Sequence, residues 1–255
     1  MILNYSLTGN GEPLVLLHGL LGNLQNLNAT AKALAESYQV VNLDLRNHGH
    51  SPHHPEHHYQ AMAADVIETI NSIGIDSFSL LGHSMGGKTA MMIAMLYPDR
   101  VKKLIVEDIA PVNYPNRHQL IFDGLKSIKL TELNNHQQAD NQLSDFVDDV
   151  GIRRFLLTNL SKQENSWQWK MNLDGLINQY SQICKFEQPT PKACYTGPVL
   201  FIKGAESDYI QAEHQNTIRQ LFPCAKAKII QGAGHWIHAE KPKIFNKVAL
   251  DFMQK

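Results

Sequence analysis

The feature that most constrains the fold is the stretch Phe78-Ser79-Leu80-Leu81-Gly82-His83-Ser84-Met85-Gly86-Gly87, followed by a helix-forming run from Lys88 to Tyr97. The apolar run is too short for a helix and reads as a strand, which passes through Gly-x-Ser-x-Gly into a helix. That order demands a sharp turn with a serine at its tip. Gly82 and Gly86 carry no side chain to collide with the strand and helix crossing beside the turn. The helix aims its positive end and its unpaired N–H groups at the hydroxyl, where a developing negative charge would be stabilised. A Gly-rich turn can contain serine by chance. A strand before it and a helix after it supply the context of a nucleophile elbow.

The rest of the chain continues the alternation. Met1 to Leu7, Leu14 to Leu17, Gln39 to Leu43, Val101 to Glu107, Pro198 to Ile202 and Ala227 to Ile230 read as strands. Asn26 to Ser37, Tyr59 to Ile73, Ala212 to Leu221 and Pro242 to Met253 read as helices. Continuous apolar strands belong to a sheet buried on both faces, and strands alternating with helices argue that it is parallel. The pattern breaks from about Pro111 to Thr196, where helical stretches replace buried strands at His118 to Ile128, Asn135 to Phe146, Ile152 to Asn159 and Asp174 to Tyr180. Trp167, Trp169 and Met171 alternate with polar residues there, as in a short strand. The expectation is an α/β fold with a mostly parallel central sheet flanked by helices. Its core is residues 1–111 and 197–255, and residues 112–196 form a mainly helical cap insertion.

With 255 residues, 43% of them hydrophobic, the chain suits one such domain with an insertion. A net charge of −1 gives no electrostatic footprint for nucleic acid or an anionic membrane. No apolar run approaches the roughly 18 residues of a membrane span. The first residues lack the basic and long apolar regions of a signal peptide. Cys184, Cys194 and Cys224 have no metal-ligand spacing and fit a reducing cytoplasm. A cytoplasmic protein acting on a small molecule is expected, with no metal or cofactor.

A serine hydroxyl needs a base within hydrogen-bond reach. His235 is the candidate, because Gly232 and Gly234 give its loop room to reach over the sheet after the last strand. The oxyanion of a tetrahedral intermediate needs two N–H donors. Met85 follows the nucleophile, and Leu20 lies in the His18-Gly19-Leu20 loop after an earlier strand. For the acid that orients the base, two strand ends compete. Asp108 directly follows the apolar run Leu104-Ile105-Val106, and Asp208 follows the strand after the insertion. Asp108 is preferred and Asp208 stays open. The six histidines His48, His50, His53, His54, His57 and His58 read as a solvated loop rather than a metal site, since no cysteine is near and their spacing is irregular. Trp167 and Trp169 are candidates either to line a substrate pocket or to pack the insertion.

Leu43-Asp44-Leu45-Arg46-Asn47-His48-Gly49, Gly82 to Lys88, Asp108-Ile109-Ala110-Pro111-Val112 and the run from Gly234-His235-Trp236 to Pro242 resemble the α/β-hydrolase superfamily, and in detail the YbfF-type bacterial esterases. The resemblance spans nearly the whole chain and is weakest from about Asn116 to Thr196. It implies a serine carboxylester hydrolase with a helical cap, acting on small to medium acyl esters; some members also cleave acyl-CoA thioesters. The wider superfamily usually carries its acid three residues after the glycine that closes the strand following the cap. Here that position is Ser207, with Asp208 one residue late. The same fold also hosts C–C bond hydrolases and lyases, for which Arg117, Arg153 and Arg154 could grip a carboxylate, and non-catalytic binding proteins.

Overall fold

The computed structural model describes residues 1–164 and 166–255. Strands β1 (Tyr5–Thr8), β2 (Glu12–Leu17), β3 (Tyr38–Leu43), β4 (Phe78–His83) and β5 (Val101–Glu107) precede the insertion. The β6 (Leu160–Gln163) and β7 (Ser166–Trp169) pair lies within it, and β8 (Val199–Gly204) and β9 (Ala225–Ile230) follow. Seven strands form one sheet in the order β1-β3-β2-β4-β5-β8-β9, and only β1 runs antiparallel, on the edge against β3. The parallel order puts the C-terminal ends of β2, β4, β5 and β8 side by side, the face on which open α/β sheets bind ligands.

Helices α1 (Asn28–Leu34), α2 (Tyr59–Ser72), α3 (Met85–Leu96), α9 (Gln215–Leu221), α10 (Ile237–Glu240) and α11 (Pro242–Met253) belong with the sheet. The period of two in a strand sends alternate side chains to opposite faces. Val15 and Leu17 pack with α2 and α3, whereas Leu14 and Leu16 pack with Leu34 of α1 and Phe245 of α11. Both faces are covered, which explains why the central strands read as unbroken apolar runs.

Between β5 and β8 lie α4 (Gln119–Ser127), α5 (His136–Leu143), α6 (Val150–Leu157), α7 (Leu173–Asn178) and α8 (Tyr180–Cys184), with β6 and β7 as an antiparallel hairpin. Among the described residues, no strand of this segment joins the main sheet. The sequence suggested one short strand there. Its partner β6 is too polar to stand out, because Ser161 is only partly covered and Lys162 and Gln163 are exposed. No helix among the described residues is long and apolar enough to cross a membrane.

Two sequence expectations change, and the open reading of the tryptophans is narrowed. The chain start is not a strand until Tyr5; instead the Met1 amino group pairs with Asp65 and the Leu3 N–H donates to Thr69 Oγ1, both on α2. The histidine-rich loop is not uniformly solvated, since His48 and His57 are fully buried while His50 and His53 face water. The placement of Trp167 and Trp169 fits the packing reading. Trp167 is buried edge-on against His136, and Trp169 lines a surface hollow with Leu125 and Met171, away from Ser84.

Candidate active site

Ser84 sits between β4 and α3 with φ 52° and ψ −116°, a left-handed conformation that a non-glycine residue adopts only when its surroundings enforce it. The enforcement comes from backbone packing. A Cβ on Gly82 would lie 2.2 Å from the Gly86 carbonyl oxygen, and one on Gly86 would lie 2.3 Å from that of Leu17. Gly86→Ala must therefore push α3 away from the end of β2. We expect a loss of about 1–3 kcal/mol in urea unfolding, the usual cost of overpacking, with a slower reaction of Ser84 toward phosphonates. Unchanged stability and labelling would show that the elbow is not held by this contact.

Asp108 is fully buried at the end of β5, also with a left-handed φ of 51°. Its carboxylate receives three donors. Gly204 N–H reaches Oδ1 at 3.0 Å, the Ser207 hydroxyl donates to Oδ2, and His235 Nδ1 lies 2.8 Å from Oδ2. Ser207 occupies the position where the wider superfamily's acid was anticipated, so that strand end contributes a hydroxyl to the Asp108 carboxylate. Asp208 is elsewhere, exposed and bridged by Arg117 Nη1 to both its oxygens at 2.8 Å. Of the two candidate acids, the structure brings Asp108 onto His235.

With Nδ1 turned to Asp108, the His235 ring leaves Nε2 for the cavity it shares with Ser84. Among the described residues no hydrogen bond joins Ser84 to His235, and such contacts commonly tighten only when substrate is bound. The ring stacks on Tyr209, with centroids 4.0 Å apart and planes 20° apart. From beneath, His83 Nε2 is 3.0 Å from the His235 carbonyl. Burial holds His83 well below the usual histidine pKa, so it stays neutral and donates one N–H there.

Met85 and Leu20 both line the cavity at Ser84. Met85 is the first residue of α3, whose first N–H groups have no intrahelical acceptor. Leu20 lines the cavities on both sides of Ser84. Its loop is shaped by two buried imidazoles, His18, to which the sequence assigned no role, and His48, which it placed in a solvated loop. His18 accepts the Leu45 N–H on Nε2 at 3.0 Å, and its Nδ1, 2.8 Å from the Gly19 carbonyl, donates there. His48 accepts the Leu21 N–H on Nε2 at 3.2 Å, and its Nδ1 donates to the Arg46 carbonyl. Desolvation lowers the pKa of both, so each remains neutral with an acceptor nitrogen available. Both sit 27 residues from the backbone N–H they receive, a relation that sequence spacing does not reveal.

Of the three arginines considered for gripping a carboxylate, Arg117 is held by Asp208, Arg153 by Asp140 and two carbonyls, and Arg154 is exposed. The side chains among the described residues that come together at metal-ligand distances are His83, Glu107 and His238. Their atoms are already engaged, because Glu107 accepts from His238 and His83 donates to His235.

Residues 12–126 match the model of the α/β-hydrolase fold family. The mouse protein named sn-1-specific diacylglycerol lipase ABHD11 is 41% identical over 248 residues, covering 94% of this chain and 80% of its own length. Esterase YbfF of Escherichia coli is 38% identical, with 91% of this chain and 89% of its own length covered. A solved marine microorganism esterase superposes with a TM-score of 0.96 at 41% identity, over 98% of this chain and 99% of that one. By these relations and by its fold, the chain belongs to the α/β-hydrolase family and resembles its YbfF-type esterases.

Proposed function

We propose that the protein is a serine ester hydrolase that works through an acyl-enzyme on small to medium acyl esters. The observation that carries this reading is the buried Asp108 carboxylate on His235 Nδ1, with His235 and the strained Ser84 facing one cavity. Names of the relatives, esterase and lipase, support ester hydrolysis as the reaction class. Ser84 Oγ attacks the acyl carbon while its proton passes to His235 Nε2, and the new oxyanion takes hydrogen bonds from Leu20 and Met85 N–H. When the intermediate collapses, His235 returns the proton to the leaving alcohol. Water then repeats the sequence on the acyl-enzyme and frees the acid. Residues 112–196 serve as the cap, because α4, α6 and α8 overhang the cavities at Ser84. Three free thiols support a reducing compartment.

Since His235 protonates the leaving group, that group lies on the side of Ser84 where His235, Trp236 and Phe155 form the wall. This side opens into a groove edged by Asp149 and Glu240, with no lysine or arginine among its lining residues. A neutral alcohol meets no opposing charge there, whereas the phosphates of coenzyme A do. Oxyesters of neutral alcohols are therefore the favoured substrates over acyl-CoA.

The test is a panel of 4-nitrophenyl and ethyl esters, with diketones for the C–C hydrolase alternative. Turnover of the esters is expected. Folded protein that cleaves diketones, or nothing, would overturn the assignment. Within thioesters, S-butyryl pantetheine should exceed butyryl-CoA in kcat/KM by roughly tenfold at low salt, with the gap narrowing as salt rises. Equal rates at low salt would remove the charge argument.

A further inference from the structure

Lys88 is a charged side chain that the chemistry above does not use. It stands one helical turn after Ser84 on α3 and is 1% exposed. Its ammonium donates to the carbonyls of Lys185 at 3.1 Å and Cys184 at 3.3 Å, at the end of α8. The rings of Tyr114, Tyr59 and Phe186 surround it, with centroids 4.8, 5.5 and 5.8 Å away. Among the described residues no carboxylate lies within salt-bridge distance of it. A buried charge without a counter-charge is costly and uncommon. Two of its three N–H groups are used, and the side chain lines the cavity that opens from Ser84 on the side away from His235.

That side holds the acyl group if the alcohol leaves past His235. Its cavity is small, about 40 Å³, which limits the acyl tail to a short one. Ser84 and Lys88 line the same cavity, one helical turn apart, so an acyl group on Ser84 shares that cavity with the ammonium. Several other polar groups around this cavity are already engaged, and the guanidinium of Arg117 is paired with Asp208. Tyr59 OH donates to the Ile183 carbonyl, Tyr114 OH to that of Tyr209, and His118 pairs with Tyr180.

We infer that the acyl pocket is built for a short acyl group ending in a carboxylate, which Lys88 receives as its missing counter-charge. The protein then cleaves half-esters of short dicarboxylic acids in preference to esters of equally long monocarboxylic acids. This inference rests on the proposed ester hydrolysis at Ser84. The reaction balances as ordinary hydrolysis, with water consumed and a dicarboxylate and an alcohol released.

Burial lowers the Lys88 pKa to about 7 in the unliganded protein. The titratable groups packed around it are Tyr59 at the start of α2, Tyr114 after β5, and Tyr180 and Cys184 on α8. Arg117, His118 and Tyr209 lie further along the same cavity. Desolvation raises the three phenols at Tyr59, Tyr114 and Tyr180, and it lowers His118 to about 4. Those four groups do not change charge near neutrality. The ammonium is present below its pKa and lost above it, so the preference for a carboxylate should be largest near pH 6.5 and fade as pH rises through 7 to 9.

The experiment compares kcat/KM for monoethyl glutarate and ethyl hexanoate across that range, following released ethanol. Taking their ratio cancels pH effects common to both esters. Wild type should favour the half-ester by roughly tenfold at pH 6.5, the size of one charge-assisted hydrogen bond, and Cys184→Ser should leave the pH dependence of the ratio in place. Lys88→Met should abolish the preference, lowering kcat/KM for the half-ester by roughly tenfold more than for ethyl hexanoate. A wild-type ratio near one, or a ratio independent of pH, overturns the inference. Equal loss on both esters in folded Lys88→Met overturns it too, and makes Lys88 a bolt between α3 and the cap. If Lys88→Met does not fold, competitive inhibition of wild type by glutarate but not by hexanoate at pH 6.5 is the deciding result. Absence of all ester turnover would instead sink the underlying hydrolase reading.

Discussion

Ser84→Ala is expected to lower ester hydrolysis by several powers of ten while leaving the fold intact. The residual rate would come from substrate binding and the oxyanion donors, which use Leu20 and Met85 backbone and survive the substitution. Alanine removes only Oγ, and the strain of the φ 52° turn is imposed by Gly82 and Gly86 packing, so the elbow should keep its shape. A fluorophosphonate should add one mass to wild type, on the peptide bearing Ser84, and none to the variant. The melting temperature should change little, because no hydrogen bond of Ser84 Oγ within the protein is lost. If the variant still carried the label at the same site, the nucleophile would be another group. If both proteins took no label while esters were still cleaved, acyl-enzyme chemistry would be excluded.

The elbow was legible because every part of it is local. Strand, glycines, serine and helix follow one another between Phe78 and Leu96, and each glycine answers a contact within the same unit or with β2. The parallel sheet was legible for a related reason: strands buried on both faces leave unbroken apolar runs. His235 stood out as the candidate base because Gly232 and Gly234 give its loop room over the sheet, and its Nδ1 lies on the Asp108 carboxylate. What stayed hidden depends on contacts across the chain. His18 and His48 shape the loop of Leu20 through backbone groups of other segments, so neither is distinguishable in sequence from a surface histidine. Ser207 acquires its place only when β8 lies beside β5 and its hydroxyl meets Asp108. The tryptophans stayed open because aromatic residues in an insertion suit a pocket and a packed hairpin equally well. Lys88 lies within the legible elbow, yet its burial depends on α8, almost a hundred residues later.

Asp108→Asn is expected to reduce kcat by roughly four powers of ten, the usual consequence of forcing the wrong imidazole tautomer, and Asp208→Asn to cost far less. The geometry around Asp108 makes the argument specific. Both carboxylate oxygens are occupied, Oδ1 by Gly204 N–H and Oδ2 by His235 Nδ1 and the Ser207 hydroxyl. An asparagine has one oxygen and one NH2 to offer. With its NH2 toward Gly204, two donors would face each other in a buried site, at a cost of about 1–3 kcal/mol. The other orientation avoids that, since the Ser207 hydroxyl can rotate to accept. It presents the NH2 to His235 Nδ1, which must then accept and move its proton to Nε2. An Nε2 that already carries a proton cannot take one from Ser84. Asp208 is largely exposed, and the Asp208→Asn change alters only its pairing with Arg117. Phosphonate labelling should slow in Asp108→Asn in parallel with kcat, while circular dichroism and KM stay close to wild type. Greater damage from Asp208→Asn would transfer the orienting role to that residue. Comparably mild effects of both would mean that His235 is held in its tautomer by neither carboxylate alone, leaving the Ser207 hydroxyl and the Gly204 N–H as the groups to vary next.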